Sequence, residues 1–346
     1  MSDVTSYKSA GVDIDLANET KAEIKQALTK ADPRILNSLG AFGSLYDISF
    51  PEYESPVLVL KTEEPGSKQL LAFQYDRYES ICFDMINHLI NDCIVMGAKP
   101  LAVQDAIICG KLEKDEVKRM VLAIADACRE QECSLTGGEI SEQPGVIPAG
   151  TYILTSSIVG IVDRKDIIDG STIAPGDVVV GVESSGLHTN GYSLVRKLLA
   201  RDPGLADMSI DGRTFIDLVL EPHRCYYKAV RGLFGTGLLK GMAHITGGGI
   251  RENLDRILPP NVDAAVDLST YRIPKVFTAI KEAGNIEDPE MLRTYNLGVG
   301  LAVVCAESSV DAVLSHIKGH GIGAYVIGTT IKGSRKVQTT GSLKWQ

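Results

Sequence analysis

Two glycine-rich loops and a scatter of carboxylates carry the chemistry of this sequence. Ser184-Ser185-Gly186-Leu187-His188-Thr189-Asn190-Gly191 combines two glycines with hydroxyls, an imidazole and an amide, and Ala243-His244-Ile245-Thr246-Gly247-Gly248-Gly249 joins three glycines to an imidazole and a hydroxyl. A loop that opens a helix offers unpaired N–H groups and the positive end of the helix dipole, which suits phosphate. Glycine lets the backbone approach such a ligand closely, and three in a row are unfavourable for a mere turn because each loses backbone entropy on folding. His188 and His244 stand inside these loops, where an imidazole can hydrogen-bond, carry charge or transfer a proton. Taken singly, the first loop reads equally well as a polar turn with capping Ser, Thr and Asn.

Glu63, Asp92, Asp105 and Glu139 fall near the ends of apolar segments. Brought together they would suit a hard cation such as Mg²⁺, which takes oxygen ligands and shares them with phosphates. Thr62-Glu63-Glu64-Pro65-Gly66-Ser67-Lys68 closes an apolar run with hydroxyls, carboxylates, a glycine and a lysine. That composition fits metal and phosphate binding at a sheet edge, and it fits an exposed turn as well. Asn91-Asp92 interrupts an apolar helical pattern and requires partners, a cation or caps and hydroxyls, because a buried unpaired carboxylate is very unfavourable. Lys25, in a helix expected over 18–29, reads by itself as part of a solvated face.

The segments that must position these groups alternate in type. Apolar runs at 57–60, 101–108, 152–162, 178–182, 301–305 and 324–327 predict strands, and 133–142 reads as a strand ending in Gly137-Gly138-Glu139. Helical periodicity covers 81–98, where Met85, Leu89, Cys93 and Met96 form a stripe, and 114–130, 214–219, 226–233, 273–283 and 309–318. The loop at 184–191 leads into another helix carrying Leu194, Val195, Leu198 and Leu199. This is an α/β chain, and 346 residues with a polar stretch at 163–175 predict two domains, 1–168 and 169–346. Lys plus Arg is 35 and Asp plus Glu is 44, a net charge of −9 with no basic block, which argues against a nucleic-acid partner. No run is long and apolar enough for a membrane span and no signal peptide is visible. The seven cysteines form no CxxC, which favours free thiols in a reducing cytoplasm.

In order and spacing, these motifs resemble the aminoimidazole ribonucleotide synthetase (phosphoribosylformylglycinamidine cyclo-ligase) family. The stretches that carry the resemblance run from Tyr7-Lys8 through Asp15, Gly40 to Gly43, Asn91-Asp92, Gly110-Lys111-Leu112, Gly137-Gly138-Glu139 and Ile167 to Ser171, then through the loops at 184–197, 244–253 and 293–300. The resemblance implies two α/β domains, each a mixed β-sheet backed by helices, in a homodimer whose N-terminal sheets pair. It implies ATP, Mg²⁺ and a small nucleotide substrate, formylglycinamidine ribonucleotide, cyclised after phosphorylation of its formyl oxygen. His188, His244, Lys25 and Asp92 would be catalytic. Gly43, Thr62, Gly66, Ser67, Lys68, Asn91, Gly137, Gly138, Asn190, Thr246, Gly247 and Gly248 would bind the nucleotide, and Glu63, Asp92, Asp105 and Glu139 the metal.

The family's strand-end signature is Thr-Asp-Gly-Val-Gly-Thr-Lys, and the run at 62–68 departs from it. Glu63 sets its carboxylate one methylene farther out, Glu64 replaces a glycine, and Pro65 fixes φ and deletes an N–H. His223 stands where the family more often has Thr, and no role follows for it. The departures leave open a relative that phosphorylates another amide or carboxyl oxygen, or a nucleotide-binding protein without turnover.

Overall fold

The computed structural model describes residues 18–20, 22–23, 32–37 and 41–345. Lys25, most of the 18–29 helix expectation, and the 7–15 and Gly40 motifs lie outside them.

The first sheet contains β1 (Pro56–Glu63), β2 (Lys99–Cys109), β3 (Ser134–Glu142) and β4 (Tyr152–Asp163) in the order β1-β4-β2-β3. β4 runs antiparallel to β1 and β2, while β3 is parallel to β2. The helices of this half that the described residues give in full are α1 (Lys68–Gln74), α2 (Tyr78–Ile94) and α3 (Lys114–Glu130). α3 buries Val117, Met120, Val121, Ile124 and Cys128, a helical stripe that packs on α2 and β3. Val103, Asp105, Ile107 and Cys109 alternate along β2 toward the helix-covered face. α2 lies against β1 and β4. It ends at Ile94, short of the predicted 98, because Gly97 turns the chain at φ 78°.

The second sheet holds β5 (Val178–Glu183), β8 (Gly241–His244), β9 (Val262–Asp267), β10 (Val299–Cys305), β11 (Ala324–Lys332) and β12 (Val337–Thr340), with β6 (Ser209–Ile210) and β7 (Arg213–Thr214) forming a separate short hairpin. Its order is β12-β9-β11-β5-β10-β8, antiparallel except for β12 beside β9. β10 is buried along its whole length and β5 nearly so, which is why both read as unbroken apolar runs. Helices α4 (Tyr192–Arg201), α5 (Phe215–Val219), α6 (Tyr227–Val230), α7 (Gly249–Leu254), α8 (Lys275–Gly284), α9 (Asp288–Thr294) and α10 (Val310–Gly319) complete this half. Strands β8, β9 and β12 and helix α9 were not legible in the pattern, being short or polar. Gly137 and Gly138 lie within β3 instead of ending it. A Cβ at Gly138 would fall 2.0 Å from Asp105 Oδ1, so the neighbouring strand requires glycine there.

Candidate active site

The polar side of α2 organises the boundary between the two sheets. Asp84, Asn87 and Asn91, at helical spacing, bind the irregular segment 221–226 of the second half. Asp84 Oδ1 accepts the His223 N–H at 2.8 Å, Asn87 Nδ2 donates to the His223 carbonyl at 2.7 Å, and Asn91 takes the Arg224 carbonyl and the Tyr226 N–H at 2.7 and 2.9 Å. Lys68, at the start of α1, adds a fourth tie. Its ammonium donates to Asp84 Oδ1 at 2.7 Å and to the carbonyls of His188 and Glu221 at 3.0 and 2.8 Å. These three bonds use all of its donors.

The same helix contributes His88 and Asp92 to a cluster of four of the chain's six histidines. His244, at the end of β8, is hydrogen-bonded through Nδ1 to Asp92 Oδ1 at 2.7 Å and through Nε2 to His223 Nε2 at 2.9 Å. His188 stacks on His223 with ring centroids 3.8 Å apart, and its Nε2 accepts the Ser185 N–H. Its φ of 62° places a non-glycine residue in the left-handed region, a strained conformation held by the surrounding packing. His88 Nδ1 is bonded to Thr189 Oγ1 at 2.9 Å, and its Nε2 lies 3.8 Å from both Glu63 Oε2 and Asp92 Oδ2. Lys61 projects from β1 on the same side as Glu63, two residues away, and its ammonium lies 3.0 Å from each of these oxygens.

Burial sets the charge states. Desolvation, then the positive potential of His244, pulls His88 down to about 4. His188 and His223 fall well below the ordinary imidazole range for the same first reason, followed by His244 for His188 and by His188 for His223. These three rings are neutral at physiological pH. Burial works to raise Asp92, but the His244 hydrogen bond and the surrounding cations hold it well below the usual carboxylate range. Desolvation raises Asp84 to about 6 and lowers Lys68.

Several expected site residues meet here. His188, His244, Asp92 and Glu63 are together, and the two glycine-rich loops touch, since a Cβ on Gly247 would lie 3.3 Å from Asn190 Oδ1. Asn253 ties down the second loop by donating to the carbonyls of Thr246, Gly247 and Gly249. Gly66 and Ser67 border the first loop. Gly66 approaches the Thr189 carbonyl, and Ser67 Oγ lies 3.4 Å from Ser193 Oγ.

Other expectations need correction. Lys68 and Asn91 are spent on bonds between the halves and present no free group to a phosphate. Asp105 shares a row with Glu63 but is separated from it by Ser156 of β4, and it is buried by itself. Gly138 is in register with Asp105, so Glu139 points to the opposite, exposed face, and the four predicted metal carboxylates do not converge. Thr62 also faces away, bonded to Ser157. Gly43 and Gly137 meet through Ser44, and Gly137 is in register with Gln104 on that outer face. Lys61, Asp84, Asn87, His88 and His223 were missed. The spacing 84, 87, 88, 91 and 92 along one helix was the available signal; nothing local marked His223.

Residues 52–162 match the family described as AIR synthase related protein, N-terminal domain, and 174–339 match AIR synthase related protein, C-terminal domain. The chain is 41% identical over 330 residues to the phosphoribosylformylglycinamidine cyclo-ligase of Neisseria gonorrhoeae, spanning 95% of this chain and 96% of the relative. It is 42% identical over 325 residues to that of Chromobacterium violaceum, spanning 93% and 94%. Among solved structures it resembles thiamine-monophosphate kinase from Stenotrophomonas maltophilia, with a TM-score of 0.69 at 16% identity over 94% and 97% of the two chains. It also resembles hydrogenase maturation protein HypE in complex with ATP, with a TM-score of 0.67 at 15% identity over 94% and 91%. Likeness at those identities is a likeness of fold.

Proposed function

The chain belongs to the AIR synthase related protein family, and from that premise we propose that it closes the imidazole ring of formylglycinamidine ribonucleotide at the expense of ATP. The observation that carries this reading is the near-full-length identity to cyclo-ligases, with the two glycine-rich loops in contact at Gly247 and Asn190. The formyl oxygen attacks the γ-phosphorus and ADP leaves. The ring-closing nitrogen then attacks the activated carbon, phosphate departs, and loss of a proton from nitrogen gives aminoimidazole ribonucleotide. Such chemistry depends on positioning and on charge neutralisation. The loops at 184–191 and 246–249 hold phosphates at their shared rim. Asp92 orients His244 through their hydrogen bond, while the neutral His188 and His223 behind it close that side to water.

The residues present do not form an oxygen cage for Mg²⁺. Glu63 and Asp92 face an ammonium, imidazoles stand beside them, and Asp105 and Glu139 lie elsewhere. We assign the ion to the nucleotide's own phosphates.

We place the division of the chain at 168/169, with ATP binding and dimerisation in the first unit and the phosphate loops largely in the second. The outer face of the first sheet, where Leu58 is 50% and Leu60 71% exposed, supports a homodimer through that face. No helix among the described residues is long and apolar enough to cross a membrane, and we assign the protein to the cytoplasm. The Lys61 ammonium between Glu63 and Asp92 favours a second reading, phosphorylation of another amide or carboxyl oxygen. Purified protein with ATP, Mg²⁺ and formylglycinamidine ribonucleotide decides. Aminoimidazole product establishes the first reading, and ADP release only with a different acceptor establishes the second.

A further inference from the structure

We propose that His88, His244, Asp92 and Glu63 form a binding site for a divalent first-row transition cation of the Zn²⁺ type, with the Lys61 ammonium as its internal competitor. His88, Asp92 and His244 each present a ligand atom, and the three atoms lie within 4.8 Å of one another. Glu63 Oε2 stands at the edge of this group, 3.8 Å from His88 Nε2, and must move in to complete the set.

Two features mark the arrangement as a ligand set. A metal-bound imidazole usually donates its second N–H to a protein acceptor, which fixes the tautomer and aims the other nitrogen. Both rings have such a partner on the far side: His88 Nδ1 has Thr189 Oγ1, and His244 Nε2 has His223 Nε2. Their remaining nitrogens, His88 Nε2 and His244 Nδ1, face the carboxylates. Second, a cation already stands among the donors, since Lys61 Nζ is 3.0 Å from both Glu63 Oε2 and Asp92 Oδ2. Its side chain is 37% exposed, so on release of these two ion pairs it can turn to solvent and yield the position to an ion.

The donor chemistry selects the metal. Mg²⁺ demands near-octahedral oxygen, whereas two imidazoles with two carboxylates suit Zn²⁺ and its neighbours. Tetrahedral bonds of roughly 2.0–2.2 Å would set the ligand atoms about 3.4 Å apart. His88 must therefore close slightly on the carboxylates. The 2.7 Å contact between His244 and Asp92 must open as the ring takes the tautomer that carries its proton on Nε2.

The test needs neither ATP nor purine precursor, so its outcome is independent of the proposed reaction. Metal-free protein is titrated with Zn²⁺ by calorimetry, with Co²⁺ by its visible absorbance, and with Mg²⁺ alone. We expect one Zn²⁺ per chain, bound at least 100-fold more tightly than Mg²⁺, and Co²⁺ spectra without thiolate charge transfer. His88→Gln weakens Zn²⁺ at least tenfold and removes the Zn²⁺-induced rise in melting temperature, whereas Lys61→Ala tightens binding. Absence of binding, thiolate bands, or unchanged affinity in folded His88→Gln overturns the proposal. Loss confined to His320→Ala, on the surface, or to His188→Asn, in the stacked pair, overturns it equally by placing the ion elsewhere.

Discussion

Lys68 Nζ lies 2.7 Å from Asp84 Oδ1 with both side chains fully buried, and its remaining hydrogen bonds reach carbonyls 120 and 153 residues away. One ammonium thus ties α1, α2, the His188 loop and the 221–226 segment together. Lys68→Met leaves the Asp84 carboxylate buried with one backbone N–H, a loss of about 3–5 kcal/mol. Urea unfolding checks this, and Lys68→Met with Asp84→Leu should recover at least half of the loss by removing the orphaned charge. A single variant within about 1 kcal/mol of the parent would show that the tie contributes little.

Lys68 also shows where sequence reading stops. A lysine after Gly66-Ser67 has the spacing of a phosphate contact, and spacing alone does not reveal that the chain turns inward there. Asn91-Asp92 was legible as a pair in need of partners, yet the partners of Asn91 come from 224–226, more than 130 residues on. The apolar strands were legible because burial imposes period two or an unbroken run, and α3 matched its predicted bounds of 114–130. β12, polar and exposed on one side, carries no such signature. The four carboxylates looked alike in sequence. Register separates them, since one step along β3 moves Glu139 to the opposite face from Asp105.

Asp105 gives a pH dependence whose sign is fixed. Burial pushes its carboxyl from 3.8 up to about 7. The folded state therefore keeps a proton that the unfolded chain releases. Stability tied to this group is full below pH 3.8 and falls as pH rises through about 7. Asp105→Asn should stabilise the fold more at pH 8 than at pH 5, by a difference on the order of 3 kcal/mol, read from unfolding at the two pH values. An equal change at both pH values would mean that Asp105 titrates normally.

Gly300 of β10 packs directly against His188 and Tyr226. A Cβ there would fall 2.1 Å from Tyr226 Oη and 2.5 Å from His188 Cε1, and both neighbours are themselves buried. Gly300→Ala must displace His188 from its stack on His223. Turnover should fall roughly tenfold or more, with a lower melting temperature. Gly319→Ala, where nothing lies within 4 Å, serves as the matched control and should leave both unchanged.

Leu60 tests the assembly. At 71% exposed it gains little from the fold of one chain, so Leu60→Glu should leave the melting temperature of a monomer unchanged or slightly raised. If the outer sheet face pairs two chains, the same substitution puts two like charges into an apolar interface. Sedimentation should then show dissociation at concentrations where the parent is dimeric, with a melting temperature that has become lower and dependent on concentration. Thr62, on the same face of the same strand, stands closer to the site and bonds Ser157 across to β4. Thr62→Val should leave assembly intact, so loss of the dimer with Leu60→Glu alone assigns the interface to the apolar row and not to the strand end.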